Sequence, residues 1–509
     1  MAARSRLPVD RPRFPRSLLW LGLACLPAMA QDATAVNRRV VIEPSLSATT
    51  SFVEVQGRAS DLNGSDWVSQ VGSGLRVSSR SGRVQGLFDY ALLADAHLRR
   101  SERNRITHSL FSDLKAEAVP GWAYVDARAT VTQQSISAFG QQTAAGSLTG
   151  NDNSQDVLNL SVSPYVKGEL AGWADYEFRL TAAATNVRAS VLGDSSNIGS
   201  SLSLQSPRRG TKVGWGFQAN QQRVDFRAGR ATDSYRVAAS LRYAAEADLV
   251  LVARLGQEST NVGGLERRSY DNWGAGVTWT PTARTTLSAS GDRRYFGNGY
   301  QLLLDHRFRR SQIRFASVRD ATSGGDGTGV GTPTTLFQLY MRQFQSSQPD
   351  PALRETQVRD LLRLSNQDPN TLVGGGFASA AIALQRRDDL AYSYLGRRTT
   401  MTLQAFSSTT SVLDTIAGVA SGQTRQAGVL GSLAHRLTPT SSLSLAGSYQ
   451  RTLSNDVLAG NSLKTASLGL TTLVDSKTSA SLIARTSQFS GLPNPNRETA
   501  LTASLSFRF

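Results

Sequence analysis

The sequence predicts an all-β protein, a large antiparallel transmembrane β-barrel of roughly 22–24 strands from about Ile42 to Phe509, with one short helical insertion. Three observations predict this fold. Apolar and polar residues alternate with a period of two over many segments that are long enough to cross a bilayer. Short turns alternate with longer polar loops, and the chain ends on an aromatic residue of an alternating segment.

The N-terminus has the three parts of a secretory signal peptide. Five arginines between positions 4 and 16 precede the apolar stretch LLWLGLACL at 18–26, which is too short to span a bilayer as a helix. Ala28 and Ala30 provide the small residues of a cleavage site. We therefore expect residues 1–30 to be a signal peptide and residues 31–509 to form the mature barrel.

The single cysteine of the chain, Cys25, lies within this signal peptide. A lipoprotein signal would use that cysteine, but Gly22 stands where such a signal has a branched apolar residue. The mature chain is expected to contain no thiol, which excludes disulfides and zinc–thiolate sites.

The charge of the chain indicates the chemistry of its partners. Lys and Arg together number 55 against 39 Asp and Glu, a net charge of +16. Removing residues 1–30 takes away five Arg and one Asp, which leaves a net charge of about +12. Export and the single spacing of the arginines argue against nucleic acid. We expect contact with outer-membrane lipid and lipopolysaccharide phosphates, or with anionic sugars.

The last nine residues, LTASLSFRF at 501–509, show the alternation plainly. The apolar side of this segment is formed by Leu501, Ala503, Leu505, Phe507 and Phe509. A soluble β-sandwich also alternates, but its strands are about five or six residues long, whereas a membrane-crossing strand needs roughly nine to eleven. The polar faces of the long segments carry Ser, Thr, Gly, Gln and Arg, which indicates a wet interior.

Arginines that oppose an apolar face are candidates for lining the lumen. In YRVAASLRYA at 235–244, for example, Val237 and Leu241 share one face and two arginines lie on the other. The lumen-lining candidates are Arg236, Arg242, Arg254, Arg284 and Arg485. The alternative for each is an arginine that pairs with a lumen carboxylate and holds the shape of the barrel.

One segment, DPALRETQVRDLLRLSNQDP at 350–369, breaks the alternation. Leu353, Val358 and Leu361 have helical spacing and prolines flank the segment, so we expect a helical insertion at about 350–366. Counting strands places this helix on the periplasmic side, and a helix folded into the lumen as a partial plug is the alternative. The count depends on residues 377–384 and 389–396 forming separate strands.

The sequence contains no motif that is typical of catalysis, metal binding or nucleotide binding. The four histidines are isolated and have no metal-ligand spacing, and no nucleophile elbow, P-loop or dinucleotide-binding loop is present. We therefore expect no enzymatic activity, no catalytic, cofactor-binding or metal-binding residues, and no cofactor.

The stretches 88–140, 159–180 and 384–403 resemble the family of PEP-CTERM system-associated outer-membrane β-barrel proteins. The residues that carry this resemblance are Asp89-Tyr90, His108 with Leu110, Asp126-Ala127, the run Gln133 to Ser137, and Ser163-Pro164-Tyr165. The chain departs from the family pattern at ATTSFVEVQG, 48–57, where the family tends to have an early acidic pair. That departure puts any role of the acidic pair in doubt here.

The resemblance implies a setting and several partners. Members of the family accompany exopolysaccharide production and exosortase-dependent protein sorting in Gram-negative bacteria. This chain has no Pro-Glu-Pro tail, so the resemblance implies a component of the system and not a sorted substrate. It also implies an outer-membrane location and recognition by the barrel assembly machinery through the terminal aromatic strand, and it transfers no catalytic residue.

These observations favour a barrel that takes part in exopolysaccharide export, as the conduit or together with periplasmic export components. One alternative is a structural or docking protein of the envelope with a closed lumen, and another is a general diffusion porin. A helix with exposed Leu361 and Leu364 would favour docking, whereas the same helix packed inside the barrel would favour a gated channel.

Overall fold

A computed structural model describes the chain from Val40 to the C-terminus with short gaps. The gaps are 58–62, 80–81, 145, 149–150, 152, 189–193, 208–210, 323–333, 346–347, 349, 365–368, 370–371, 374–380, 414–421, 456–457 and 493. The predicted signal peptide, with Ala28 and Ala30, lies outside the described residues.

The described part of the chain consists mainly of long strands. The barrel strands are β1 Val40–Gly57, β2 Gly64–Ser79, β3 Val84–His97, β4 Arg105–Val119, β5 Ala123–Ser135, β6 Ser154–Leu170, β7 Ala174–Val187, β8 Ser195–Gln205, β9 Val213–Phe226, β10 Thr232–Ala244, β11 Leu249–Thr260, β12 Arg268–Thr282, β13 Thr285–Arg294, β14 Gly297–Arg307, β15 Ser311–Thr322, β18 Ala383–Leu395, β19 Thr399–Val412, β20 Gln423–Arg436, β21 Ser441–Thr452, β22 Asn461–Leu473, β23 Thr478–Ser490 and β24 Asn496–Arg508. Two short strands, β16 Thr334–Thr335 and β17 Leu372–Val373, pair with each other, and two helices, α1 Leu336–Gln343 and α2 Pro351–Leu364, lie between them.

The 22 long strands form one closed antiparallel sheet in the described residues, which confirms the predicted fold. Each strand pairs with the next along the chain, β15 pairs with β18, and β24 pairs with β1. The closing pair runs from Ser45 opposite Arg508 to Gly57 opposite Asn496. Closure satisfies the backbone groups that an open edge would leave unpaired in hydrocarbon.

The barrel is wide. Strands about 4.8 Å apart and tilted by about 40° give a ring of 22 strands a backbone diameter of about 40 Å. A lumen of this width holds far more than the side chains of the wall, so the chain must fill it with other segments or leave it wet.

The outer face of the barrel is apolar. Residues such as Ile198, Leu255 and Leu445 alternate with inward residues and are 67%, 71% and 53% exposed. Near one end, Trp173 stacks on Trp215 with ring centroids 5.7 Å apart. Exposed aliphatic side chains bordered by aromatic residues are the surface of a membrane-spanning barrel. Among the described residues, no helix is long and apolar enough to cross a bilayer.

The connections define the two ends. Tight turns such as Ala283-Arg284 and 437–440 lie at the end where β1 begins and β24 finishes, and the longer connections lie at the other end. In a barrel of this kind the short turns face the periplasm, so the long connections are on the outer side.

The predicted position of the helix at about 350–366 is wrong in one respect. Residues 383–395 form the single strand β18 and not parts of two strands, so the connection that contains α2 joins the outer ends of β15 and β18. The helix therefore enters from the outer side and not from the periplasm. The sequence did not predict β18 as one strand, because the charged residues of QRRDD at 385–389 interrupt the apolar alternation.

Helix α1 was not predicted from the sequence. Its start has a capping box: the Thr335 hydroxyl accepts from the Gln338 amide at 3.2 Å, and the Gln338 side chain accepts from the Thr335 amide at 3.2 Å. Thr335 followed by Gln338 and by Leu336, Phe337 and Tyr340 is a signal from which this helix could have been predicted.

Candidate functional site

The lumen is the candidate site because the inward faces of the strands are polar. On β9, Trp215 is exposed on the outer face, whereas Gln218 and Asn220 lie on the inner face and are also exposed. An inward residue can be exposed only to water inside the barrel. The wall along β9 therefore borders a wet region of the lumen.

Four of the five arginines predicted to line the lumen lie on inward faces: Arg236, Arg242, Arg254 and Arg485. The prediction for Arg284 is wrong. Thr282 pairs directly with Thr285, so Ala283 and Arg284 form a two-residue turn, and Arg284 is exposed at the periplasmic rim. The sequence TPTART does not show where the turn falls, and a shift of one residue changes the face.

Most of these inward arginines are paired with carboxylates. Arg254 Nη1 lies 2.8 Å from Asp292 Oδ1, and Arg236 Nη2 lies 3.8 Å from Asp292 Oδ2. Arg485 Nη2 lies 2.6 Å from Glu498 Oε1. These arginines tie strands of the wall together, Arg485 between β23 and β24 and the other two across β12, which was the structural alternative for them.

Arg294 forms a buried ion pair in the wall and was not identified from the sequence. Its guanidinium lies 2.6 Å from Glu258 Oε1 and 2.8 Å from Asp320 Oδ1, and Glu258 is fully buried. The run Asp292-Arg293-Arg294 does not reveal which arginine faces inward. The structure shows that Arg294 of β13 faces inward, where it contacts Glu258 of β11 and Asp320 of β15.

The helices α1 and α2 lie inside the lumen. Phe344, which directly follows α1, and Val358 of α2 are fully buried in one apolar cluster with Leu87 of β3 and Phe111 of β4. Leu87 and Phe111 face inward, on the same side of their strands as Asp89 and opposite the exposed Ile106. We call α1 and α2 the plug.

Polar contacts attach the plug to the wall at two places. On one side, the Tyr340 hydroxyl lies 2.9 Å from the Thr402 hydroxyl of β19 and 3.1 Å from the Ser432 hydroxyl of β20. Burial raises the pKa of Tyr340, so its hydroxyl stays protonated at neutral pH. Arg314 of β15 donates to the Arg342 carbonyl at 3.2 Å.

On the other side, an ion-pair chain joins α2 to β2 and β3. Arg76 Nη2 lies 2.9 Å from Glu355 Oε1, Arg359 Nε lies 3.0 Å from the same oxygen, and Arg359 Nη1 lies 3.2 Å from Asp89 Oδ2. The four side chains are 16–26% exposed. We call Arg76, Glu355, Arg359 and Asp89 the latch.

The position of α2 bears on the docking alternative. The docking alternative requires the Leu361 side chain to be exposed. Leu361 is 6% exposed and lies in the cluster shared by the plug and the wall. The side chain of Leu364 lies outside the described residues. The described face of α2 is therefore committed to the barrel interior, as a gated channel would require.

A second segment also folds into the lumen, between β5 and β6. The Leu148 side chain packs with Val53, Val68 and Ala500 on the inner wall. The Ser147 hydroxyl donates to Glu498 at 2.6 Å, and Arg485 donates to the Gly146 carbonyl at 2.5 Å. The polar loop between β5 and β6 therefore narrows the outer end of the lumen.

The periplasmic mouth carries a cluster of aromatic and basic side chains on β4 to β7. Tyr124 stacks on Tyr165 with centroids 5.1 Å apart, and Lys115 and Lys167 place their ammonium groups 5.1 and 4.7 Å from the Tyr124 centroid. The Arg179 guanidinium lies 3.8 Å from the Tyr165 centroid. We call these five residues the mouth cluster. The two rings are covered by each other and by these cations, and Tyr165 is 5% exposed, so the cluster presents mainly positive charge to the lumen.

The four histidines do not form a site. Each lies beside a different side chain: His97 beside Asp66, His108 beside Tyr90, His306 beside Thr285, and His435 beside Thr399. Within the described ranges, no group of three His, Cys, Asp or Glu residues could hold a metal ion.

The terminal strand presents its apolar face to the outside. Leu501, Ala503, Leu505 and Phe507 are exposed on β24, and Phe509, 64% exposed, extends the same face. The Phe509 amide donates to the Pro44 carbonyl at 3.1 Å, so pairing with β1 continues to the last residue.

Comparison with known proteins shows a likeness of fold. No family model matches the chain, and no curated protein matches it significantly. The FrpB iron transporter from Neisseria meningitidis (F5-1 variant) is 10% identical, with a TM-score of 0.48, and the match covers 91% of this chain and 82% of that one. For the siderophore receptor PirA from Pseudomonas aeruginosa, identity is 11%, TM-score 0.43 and coverage 92% and 80%. For OccK1 (OpdK) of the same organism, the values are 10%, 0.35, 92% and 99%.

The architecture defines the class of protein. A closed ring of 22 antiparallel strands with an apolar outer surface, a polar lumen and inward-folded segments is an outer-membrane β-barrel. The protein is therefore located in the outer membrane of a Gram-negative bacterium.

Proposed function

We propose that the protein is a gated outer-membrane conduit for a hydrophilic, acidic polysaccharide, with the plug as its gate. The observation that carries this proposal is the attachment of α1 and α2 inside a wet lumen by polar contacts that include the latch and the Tyr340 hydroxyl. A protein with a purely structural lumen has no need for a wet wall beside such a plug.

The plug is suited to moving as a unit. Its largest buried side chains, such as Phe344 and Val358, pack in one cluster to which the wall contributes Leu87 and Phe111, and Leu395 and Leu430 of the wall pack against that cluster. Both ends of the plug segment meet at the β16–β17 ladder, where Thr335 lies opposite Leu372. Release of the latch would leave the apolar contacts with the wall as the remaining attachment, and the helices could then turn about this ladder.

The substrate class follows from the chemistry of the lumen. Lys115 and Lys167 of the mouth cluster and Arg242 further along the inner wall are basic side chains that face the lumen. Such cations attract carboxylates on a polymer inside the barrel. We therefore propose an acidic glycan as the transported polymer.

The proposed setting is the exopolysaccharide and exosortase system of the family that the sequence resembles. Three of the residues that carry this resemblance lie in the latch or in and beside the mouth cluster. Asp89 belongs to the latch, Tyr165 belongs to the mouth cluster, and Asp126 pairs with Arg179 of that cluster at 2.7 Å. These positions support the resemblance as a guide to function.

A crosslinking experiment tests the gate. The mature chain is expected to be free of cysteine, so Arg76→Cys and Glu355→Cys can be joined by a short bismaleimide across the latch. We expect channel openings in planar bilayers from the uncrosslinked double variant and a loss of those openings after crosslinking. As a control, Ser448→Cys and Thr465→Cys, which face each other on β21 and β22, tie the wall to itself and should leave conductance unchanged.

Two results would contradict the proposal. The first is folded protein that conducts equally before and after the latch is crosslinked. The second concerns the substrate: an acidic oligosaccharide added on the periplasmic side should interrupt the current more than a neutral one of equal length, and equal effects would indicate a general diffusion porin.

A further inference from the structure

A row of basic side chains surrounds part of the barrel at its outer end, on the face that points away from the lumen. We define the outer belt as Arg319, Arg386, Arg425, Arg451, Lys464 and Arg497, on β15, β18, β20, β21, β22 and β24. None of these residues belongs to the lumen, the plug or the mouth cluster.

Strand register places the belt residues side by side. Arg319 lies directly opposite Arg386, Arg386 lies opposite Thr409, and Thr409 lies opposite Arg425. Lys464 and Arg497 both lie opposite Gln488 of β23. The belt is therefore a continuous row around the barrel, although its members are far apart in the sequence.

The belt points outward. Leu390, Val429, Leu468 and Leu501 each lie four residues along their strand from a belt residue, on the same face, and each is about half exposed. These leucines and this valine belong to the lipid-facing surface. The belt lies just beyond them, toward the outer end.

The height of the belt matches the edge of the bilayer. Arg497 and the terminal Phe509 lie at opposite ends of the outer face of β24. At about 3.3 Å per residue and a tilt of about 40°, they are separated by about 30 Å along the barrel axis, slightly more than the apolar band of about 25 Å. The belt is at the level of the outer-leaflet head groups.

Positive charge exceeds negative charge on the part of the outer surface that carries the belt. On the outer faces of β15 and of β18 to β24, all of which the structure describes, Asp388 is the one acidic residue, and it lies 3.4 Å from Arg386. Across the barrel, arginines of the same outer region have carboxylate partners: Arg223 lies 3.2 Å from Asp225 and Arg267 lies 3.7 Å from Asp233. In the belt, Arg319 donates to the Asn298 carbonyl and Arg425 donates to Gln423 Oε1 at 2.6 Å, and these acceptors carry no negative charge. Like charges directly opposite each other destabilise a strand pair, so the Arg319–Arg386 pair would be relieved by an anion.

The first part of the belt also forms a recess. Arg319, Arg386 and Arg425 line a shallow hollow of about 400 Å³ together with Thr409, Ser411 and Gln423. Three guanidinium groups and three neutral hydrogen-bonding side chains form a surface suited to a phosphate on a sugar.

We infer that the outer belt binds the phosphorylated glucosamine head group of lipid A in the outer leaflet, with the recess holding one phosphate. The guanidinium groups provide paired N–H donors to the phosphate oxygens, and the exposed aliphatic residues below pack against the acyl chains. This site is independent of the proposed conduit, since it is on the opposite face of the wall.

The test measures binding of lipid A to the purified full-length mature barrel in detergent, by native mass spectrometry. The triple variant Arg319→Gln, Arg386→Gln and Arg425→Gln should bind bis-phosphorylated lipid A at least tenfold more weakly than the unmodified protein. The control variant Arg284→Gln, Arg398→Gln and Arg436→Gln removes the same charge from the periplasmic end and should bind as tightly as the unmodified protein.

A second measurement needs no variant. The unmodified barrel should bind lipid A stripped of its phosphates at least tenfold more weakly than the bis-phosphorylated form. Equal binding of the two lipids, equal losses in the belt and control variants, or equally tight binding of phosphatidylglycerol would overturn the assignment.

Discussion

Replacing Arg359 by glutamine should loosen the plug, because this side chain joins α2 to Asp89 of β3 and also contacts Glu355 of α2, which pairs with Arg76 of β2. Its guanidinium lies 3.2 Å from Asp89 and 3.0 Å from Glu355, and it covers the Phe337 ring at 4.7 Å. Glutamine loses the charge and leaves Asp89, 26% exposed, without its cation from the plug.

The size of the effect follows from burial. Exposed ion pairs contribute about 0.2–1 kcal/mol, whereas removing one partner of a fully buried pair costs about 3–5 kcal/mol. The latch is mostly but not fully buried, and Arg76 still neutralises Glu355 in the variant. We expect a loss of about 2 kcal/mol in plug attachment, which corresponds to about a 30-fold rise in the ratio of open to closed channels.

Single-channel recording in planar bilayers measures that ratio. Arg284→Gln, which removes an equal charge from the exposed turn at the periplasmic rim, should leave the ratio unchanged. An Arg359→Gln barrel that is folded, as shown by heat-dependent electrophoretic mobility, and opens no more often than the unmodified protein would refute the latch.

Three further changes should have distinct effects. Tyr340→Phe removes the hydroxyl that meets Thr402 and Ser432 but leaves those two bonded to each other at 2.7 Å, so the open-to-closed ratio should rise only about fivefold, for about 1 kcal/mol. No change in single-channel recordings would show that this contact does not hold the plug. Leu148→Asp puts a charge among apolar wall residues and should detach the loop between β5 and β6, seen as faster proteolysis of that loop in the folded barrel; unchanged cleavage would place the loop elsewhere. Deletion of Phe509 removes the last pairing with β1 and should lower the amount of assembled barrel in outer-membrane fractions, whereas unchanged levels would count against a role in assembly.

The faces of the strands could be predicted from the sequence because lipid selects apolar residues at every second position. The exposed row on β24 and the inward position of Arg236 and Arg254 follow from that periodicity alone. The error at Arg284 arose where a tight turn interrupts the period, since periodicity gives no information within a turn.

The partners of inward residues could not be predicted, because they depend on strand register. Arg485 meets Glu498 across β23 and β24, and the outer belt exists only because Arg319 and Arg386 lie opposite each other after a connection of 60 residues between their strands. The helical spacing of α2 was visible in the sequence, but its place in the lumen depends on contacts with Arg76 and Asp89, which are more than 250 residues away.

The central claim is that the plug closes a conduit, and its removal tests this most directly. Because Thr335 lies opposite Leu372 in the β16–β17 ladder, residues 336–371 can be replaced by a two-residue Asn-Gly turn without separating β15 from β18. We predict that this barrel shows large, continuously open conductance steps in planar bilayers, where the unmodified protein opens rarely. A folded plug-free barrel that carries no current would contradict the account.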